Sequence, residues 1–398
     1  MSDTAAVKSK FNFGTAGNAG FIIALLGFVG WGIGVATLGE AGWQSYMYGY
    51  ICFATIVLGC FGMTMLHHVC RGSWGLSVLR IFEAGGGPAA IGALAVGFLP
   101  IAFKMHTFYH HWMDTHEVWK GPMKAWYLRQ DTFLIRAAIY FVIWFLFAYL
   151  LRQSSLRQDK SNNKNEAQFR TNLSAGGLVM FMITVTFAMT DWVMSMDPHW
   201  FSSIFGPWFA VNGALMALTL VTYIVCRYRD EAPYKEILSS RVTTDLGNMC
   251  FAFTMFWAYF TLSQWLIIWS GNLPEFTRFY AARNLTAVEG QTPWLLIIGG
   301  LSVLCGFFIP WFALLAPRVK ARPELLMRVV LFAFLIRFID LFYNVVPFMR
   351  STFVWSDAAA LVAFAGLWMM VMGKQTEKAS LYAEHDQRLM EAAHSHGH

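Results

Sequence analysis

The stretch LLMRVVLFAFLIRFIDLFYNVV, residues 325–346, is apolar except for Arg328, Arg337, Asp340 and Asn344. As a helix rising 1.5 Å per residue it would be about 33 Å long, enough to cross the roughly 30 Å hydrocarbon core of a bilayer. Arg337 and Asp340 would then lie near mid-membrane, about 18 Å from the start of the helix. Each costs roughly 2.5–3.5 kcal/mol at a bilayer centre before any pairing, so the pair must face other protein rather than lipid. Arg337, Asp340 and Asn344 share one helix face at i, i+3 and i+7, which predicts a bundle with this face inside and Arg337 and Asp340 as partners.

The same window applied outward along the chain finds nine more stretches of this kind. The ten run 18–38, 46–66, 88–108, 133–151, 173–192, 203–226, 246–269, 293–316, 325–346 and 352–373, and take up about half of the 398 residues. Composition agrees: 57% of residues are hydrophobic, 17% aromatic and only 13% charged, where a soluble protein carries roughly 25% charged residues. The chain is expected to be an all-α integral membrane protein of about ten transmembrane helices. The polar start Met1–Lys10 leads into a glycine-rich apolar stretch without a convincing small-residue cleavage site, so the first span is expected to be retained. Within it Gly30 and Gly34 have the spacing that lets two helix backbones approach.

The net charge of +6 would suggest nucleic acid in a soluble protein, but here it orients loops. The amino terminus, every second loop and the carboxyl tail together hold 19 of the 29 Lys and Arg. By the positive-inside rule both termini are cytoplasmic, and no nucleic-acid partner is needed. The expected organisation is a cytoplasmic segment 1–17, spans one to four in 18–151, a cytoplasmic connector 152–172, spans five to ten in 173–373, and a cytoplasmic polar tail 374–398. That tail ends in three histidines, which read as part of a disordered end rather than a metal site.

No pair of the six cysteines forms Cys-x-x-Cys, so iron–sulfur clusters and covalent haem have no ligand set in this chain. A b-type haem needs histidines facing each other from helix interiors. None lies there: His67 and His68 close the second span at its cytoplasmic end, His106 and His110 lie at the outer end of the third, and His199 is in an outer loop. No metal site, phosphate loop or nucleophile elbow is expected. His106 and His110 share one helix face at i, i+4, which is compatible with a metal or a ring-shaped ligand, although a Lys, four His and an Asp at a membrane interface are more often simply solvated.

Other polar residues need a reason for their positions. Asp191 falls in the last outer turn of the fifth span. Asp197 before Pro198 reads as a helix N-cap with proline at the first helical position. In the seventh span Ser263 and Gln264 lie in the outer half, while Asp245 marks the cytoplasmic start. Between Asp245 and Gln264 the rise is about 28 Å, too far for a proton without waters or other helices.

Three runs taken together carry a resemblance. DWVMSMDPHWFSSIFG (191–206), YFTLSQWLIIWSGNLPE (259–275) and RFIDLFYNVVPF (337–348) resemble the NrfD-like, polysulfide-reductase-type membrane subunits of bacterial alternative complex III. The resemblance covers most of the chain, and length and the first run make it most similar to the shorter of that complex's two such subunits. It implies two four-helix bundles, spans two to five and six to nine, flanked by spans one and ten in the bacterial inner membrane. It implies a quinol:electron-acceptor oxidoreductase in which haem c and iron–sulfur clusters belong to partners: an iron–sulfur subunit, multihaem and monohaem cytochrome c subunits and the paralogous membrane subunit, with a terminal oxidase as a further candidate. The residues it marks are Asp191, Asp197, His199, Ser263, Gln264, Arg337 and Asp340.

Three functions follow. The first is a cofactor-free subunit that packs against its paralogue and carries proton half-channels, with Asp245, His67 and His68 on the cytoplasmic side, Arg337 and Asp340 in the middle, and Asp191, Asp197, His199 and the His106/His110 group outside, Ser263 and Gln264 being further candidates on the path. The second is a quinol-oxidising subunit that binds menaquinol or ubiquinol at Lys104, His106, His110 and Asp114. The third, a stand-alone secondary transporter, has only one charged midplane site and no inverted repeat in its favour.

Overall fold

A computed structural model of the chain describes residues 13–70, 72–75, 77–114, 122–161, 163–283, 294–377 and 379–381. The terminal histidines and the first twelve residues lie outside these. Among the described residues the chain is helical, with no strand. The long helices are α1 (Gly14–Leu38), α2 (Glu40–Cys70), α3 (Pro88–Phe103), α4 (Gln130–Ser161), α5 (Lys164–Trp192), α6 (Phe205–Arg227), α7 (Ser240–Gly271), α8 (Trp294–Leu315), α9 (Pro323–Val345) and α10 (Trp355–Glu377). Among the described residues nine segments are long and apolar enough to cross a membrane, the third of them Leu79–Phe103, which joins the short helix Leu79–Gly85 to α3; this makes the chain a multi-pass membrane protein in outline. The helix left out is α9, where Arg328, Arg337 and Asp340 raise the charge content although its length of 23 residues matches its neighbours.

Burial divides these helices by role. In α2 and α6 the apolar window is 89% and 78% buried, against 17% in α1 and α7. The first two form the centre. α2 packs on α6, α5, α10, α1 and α3, while α6 packs on α2, α9, α7 and α5. The centre closes because both helices present glycine where they cross: a Cβ on Gly59 would stand 1.9 Å from the Gly213 carbonyl oxygen, and one on Gly213 would stand 2.7 Å from that of Thr55. Between lipid-solvated helices, dispersion at such close approach supplies attraction that the hydrophobic effect does not.

A second small-residue seam joins α1 to α10. Gly20, Gly27 and Gly34 face Met370, Ala363 and Ser356 at distances that no side chain would allow, whereas at Gly30 a Cβ would meet only Ala359, in a tight contact of 3.3 Å. Gly17 lies against Gly373, so the first and last described helices meet at their chain ends. We call that face of the bundle the N-side.

Several helices are interrupted. Lys104 breaks the third expected span, so a short helix, Met105–Met113, follows α3, with non-helical dihedrals at Tyr109. α8 contains a π-helical turn at Leu304–Phe308 just before Pro310. Asp197 caps no helix, contrary to the reading of Asp-Pro as a helix start. It follows the 3-10 turn Met194–Met196 with extended dihedrals, and α6 begins only at Phe205.

Candidate functional site

Asp340 is 2% exposed and Arg337 is fully buried. The guanidinium Nη1 lies 3.5 Å from Asp340 Oδ2, a long contact for an ion pair. Closer donors hold the carboxylate: Trp257 Nε1 on α7 at 2.9 Å and Ser302 Oγ on α8 at 2.9 Å, with Asn344 Nδ2 at 3.3 Å. The same indole holds the cation, since Arg337 Cζ lies 3.8 Å from the Trp257 ring centroid. One tryptophan therefore clamps both charges. Arg337 Nε and Nη2 have no hydrogen-bond partner among the described residues. Nη2 occupies the place of a side chain at Gly306, whose Cβ would fall 1.7 Å from it. Gly306 is in the π turn of α8, the kind of local widening often found at functional sites.

Beside this pair is a cavity of about 650 Å³ walled by α6, α7, α8, α9 and the helix Pro274–Ala281. Asp340, Ser302, Trp257, Tyr343, Asn344 and Gln264 line it. The remaining walls are almost wholly aromatic and aliphatic. Its rim includes Met255, Tyr259, Leu262, Val303 and Phe308, all exposed on the outer surface of the bundle. Gln264 accepts a hydrogen bond from Ser202 Oγ at 2.6 Å through Oε1, and its Nε2 has no partner among the described residues. Ser263, one residue earlier, is half-buried and does not line the cavity.

Arg283 closes the end of α9. It is 0% exposed and donates to three carbonyl oxygens, those of Phe279 (2.7 Å), Tyr343 (2.9 Å) and Asn344 (3.1 Å). The last two belong to the final turn of α9, where carbonyls lack intrahelical donors and the helix dipole favours a cation. Its guanidinium stacks on Phe279 at 3.5 Å. Burial pushes its pKa down to about 10, which leaves it charged at neutral pH.

A second buried node lies in another part of the molecule. Asp191, 1% exposed, takes two bonds from Arg136 of α4, at 2.9 and 3.0 Å, and one from the Tyr140 hydroxyl at 2.9 Å. Asp197 pairs with Arg278 at 2.9 Å and accepts from the His199 backbone N–H at 3.1 Å. On the N-side, Glu83 accepts from Arg80 (3.3 Å) and Arg152 (2.7 Å), and Arg80 also holds Asp159 at 2.5 and 2.6 Å. His67 and His68 are buried near that end of α2, with His67 packed edge-on against Trp74. Asp245 is half-buried in the first turns of α7.

Of the four residues at the far end of α3, two meet, His106 and Asp114. His106 bonds Asp114 at 2.7 Å with both side chains more than half exposed, His110 packs at a tilt against His111 with ring centroids 4.2 Å apart, and Lys104 lies over Trp43. Sequence reading did not single out Arg136, Tyr140, Trp257, Ser302, Arg80, Glu83 or Arg283 as site residues. Arg136 had a signal, being the only charge inside the expected fourth span. Comparison with protein-family models gave no match to the chain, and comparison with curated proteins gave no relative.

Proposed function

We propose that this chain is a cofactor-free integral membrane subunit of a quinol-oxidising respiratory assembly of the alternative complex III type. In this reading it has ten spans in a bacterial inner membrane with both termini cytoplasmic. Haem and iron–sulfur chemistry is left to cytochrome c, iron–sulfur and paralogous membrane subunits. The packing supports the implied architecture: α2 to α5 contact one another in a ring, α6 to α9 do the same, and α1 and α10 lie against the first group.

The observation that carries the functional part is the Arg337–Asp340 pair on Trp257. An ion pair at 3.5 Å, with two guanidinium nitrogens unpartnered, is poorly compensated for its desolvation. A purely structural pair gains from close, saturated geometry. A carboxylate that takes up and releases a proton needs instead a neighbouring cation that can hold or relinquish it. Asp191 with Arg136 and Tyr140, and Glu83 with Arg80 and Arg152, are corresponding groups toward the two faces, and coupling would require electron transfer in the partners to shift their arrangement. The test is Asp340→Asn and Asp191→Asn in the purified assembly, measuring quinol oxidation and proton release per electron. Protons released per electron fall while the assembly remains intact; unchanged values for both variants would remove the proton role.

A further inference from the structure

Tryptophans and tyrosines of the first group of helices form a connected row. Trp31 and Trp43, half-buried beside the α1–α2 turn on the face opposite the N-side, pack with ring centroids 5.3 Å apart, and Trp31 lies 4.9 Å from Tyr46. Tyr46 and Tyr50 are one turn apart on α2, and both pack on Phe364 of α10, at 5.2 and 6.1 Å. Tyr50 meets Trp192 of α5 at 5.9 Å, Trp192 meets Trp144 of α4 at 5.8 Å, and Trp144 meets Tyr140 at 6.1 Å. Packing explains aromatic rings in such a core, but phenylalanine would pack as well. This row is set apart by rings that can give up an electron and by a change, along it, in what their polar atoms touch.

A tryptophan or tyrosine that has lost an electron is a strong acid, and the electron vacancy comes to rest where a base takes the proton. Trp31 Nε1 donates to the Gly42 carbonyl oxygen at 2.8 Å, Tyr46 to that of Gly97 at 2.8 Å and Tyr50 to that of Leu94 at 3.2 Å. Trp144 Nε1 donates to the Thr184 hydroxyl at 2.8 Å, and Trp192 Nε1 has no hydrogen-bond partner among the described residues. None of these acceptors is a base. Tyr140 differs, since its hydroxyl donates to the Asp191 carboxylate at 2.9 Å, the reach from which a general base takes a proton. A carboxylate accepts a proton from so strong an acid even when an arginine pairs with it, and the paired Arg136 is partly exposed, so water shares the charge left behind. At the other end the Lys104 ammonium, 5.5 Å over Trp43, disfavours a positive charge on that ring and drives the vacancy inward.

We propose that this row conducts a one-electron oxidation from the surface to Tyr140, where it is held as a neutral tyrosyl radical. The oxidant is an oxygen-derived radical of the peroxyl class arriving at the face opposite the N-side. Trp31 or Trp43 gives it one electron, and the resulting peroxide anion takes a proton from water. Electrons then pass from ring to ring toward the surface. The last comes from Tyr140, whose O–H bond breaks as its proton passes to Asp191 Oδ2, so Tyr140 has lost one electron and Asp191 has gained one proton. Tyr140 is 6% exposed, which screens the radical from lipid chains. The row is complete within this chain and does not depend on the assembly proposed above.

The test uses the full chain in phospholipid nanodiscs with a ruthenium tris(bipyridine) complex on the thiol of Glu40→Cys, an exposed position next to the α1–α2 turn, and with Cys70→Ser removing the exposed native thiol. A flash with a cobalt(III) ammine as quencher leaves ruthenium(III), which takes the electron in place of the peroxyl radical, and freeze-trapped electron paramagnetic resonance identifies the radical formed. A tyrosyl signal is expected in the labelled chain and in Trp368→Phe, which alters a buried tryptophan whose indole donates to Gly85. Trp192→Phe, Trp144→Phe and Tyr140→Phe keep a ring in each place but are expected to lose the tyrosyl signal and leave a tryptophan radical. Asp191→Asn, which removes the base and keeps every ring, is expected to do the same. A tyrosyl signal undiminished in Trp192→Phe or in Tyr140→Phe overturns the proposal, as does a radical that stays on tryptophan in the labelled chain. These phenylalanine variants decide the matter whether or not Asp191→Asn folds.

Discussion

At the scale of single residues, each buried charge in this protein is stabilised by a specific set of neighbours. Asp191 shows how strict that arrangement is. Its three hydrogen bonds come from Arg136 and Tyr140, and removing the arginine leaves an almost uncompensated carboxylate in a buried site. Arg136→Leu is expected to cost about 3–5 kcal/mol, and the double variant Arg136→Leu, Asp191→Leu to recover most of that loss, because breaking a buried pair is worse than replacing it. Thermal melting of the detergent-solubilised protein measures both; equal losses in the single and double variants would show that Arg136 acts through packing alone. Arg337 differs in being held largely by the face of Trp257 and by the gap that Gly306 leaves. The sequence makes it clear that Arg337 and Asp340 must be sheltered, since the cost of charge in hydrocarbon is independent of fold. It does not reveal Trp257 or Ser302 as the sheltering groups. A tryptophan and a serine in apolar helices have many other uses, and only the juxtaposition of α7, α8 and α9 selects this one.

Among the helices, packing is set by where side chains are missing. The α2–α6 crossing depends on Gly59 and Gly213, and the α1–α10 seam on Gly20, Gly27, Gly366 and Gly373. Gly59→Ala places a methyl group 1.9 Å from a backbone oxygen, so the helices must separate. The expected result is a large loss of folded, monodisperse protein in fluorescence-detected size exclusion. Gly176→Ala, with open space around it, is expected to behave as the native chain; similar yields for the two variants would contradict the packing described. Span positions were legible in advance because twenty apolar residues in a row have few alternatives to a membrane helix. The glycines of α1 were noticed for spacing, but Gly59 and Gly213 were not. Glycine is common in such helices, and a contact between two of them is a property of the pair. The break at Lys104 is not legible, and at Asp197 the gap between spans is legible but the residue reads as a helix cap. The first lies in an otherwise apolar stretch, and the second is a turn fixed by Arg278 from a distant part of the chain.

For the whole molecule, the ten-span reading proposed above requires both chain ends on one side of the membrane. Alkaline phosphatase fused after Lys374 is expected to be inactive in intact bacteria, and a fluorescent protein at the same point to be bright; the reverse pattern would mean an odd number of crossings or an inverted chain. The close fit of Gly59 to Gly213 also bears on mechanics. A backbone oxygen seated over a bare Cα works as a notch: the two groups of helices on either side can roll slightly about it, but neither can slide along the other without lifting out. Carriers that alternate between inward and outward openings depend on such sliding or rocking of one half against the other. In the proton-conducting role proposed above, a molecule locked at its centre would work by moving protons, waters and side chains inside a fixed frame, and a stationary frame would be an advantage there, because distances between successive groups would stay constant from one turnover to the next.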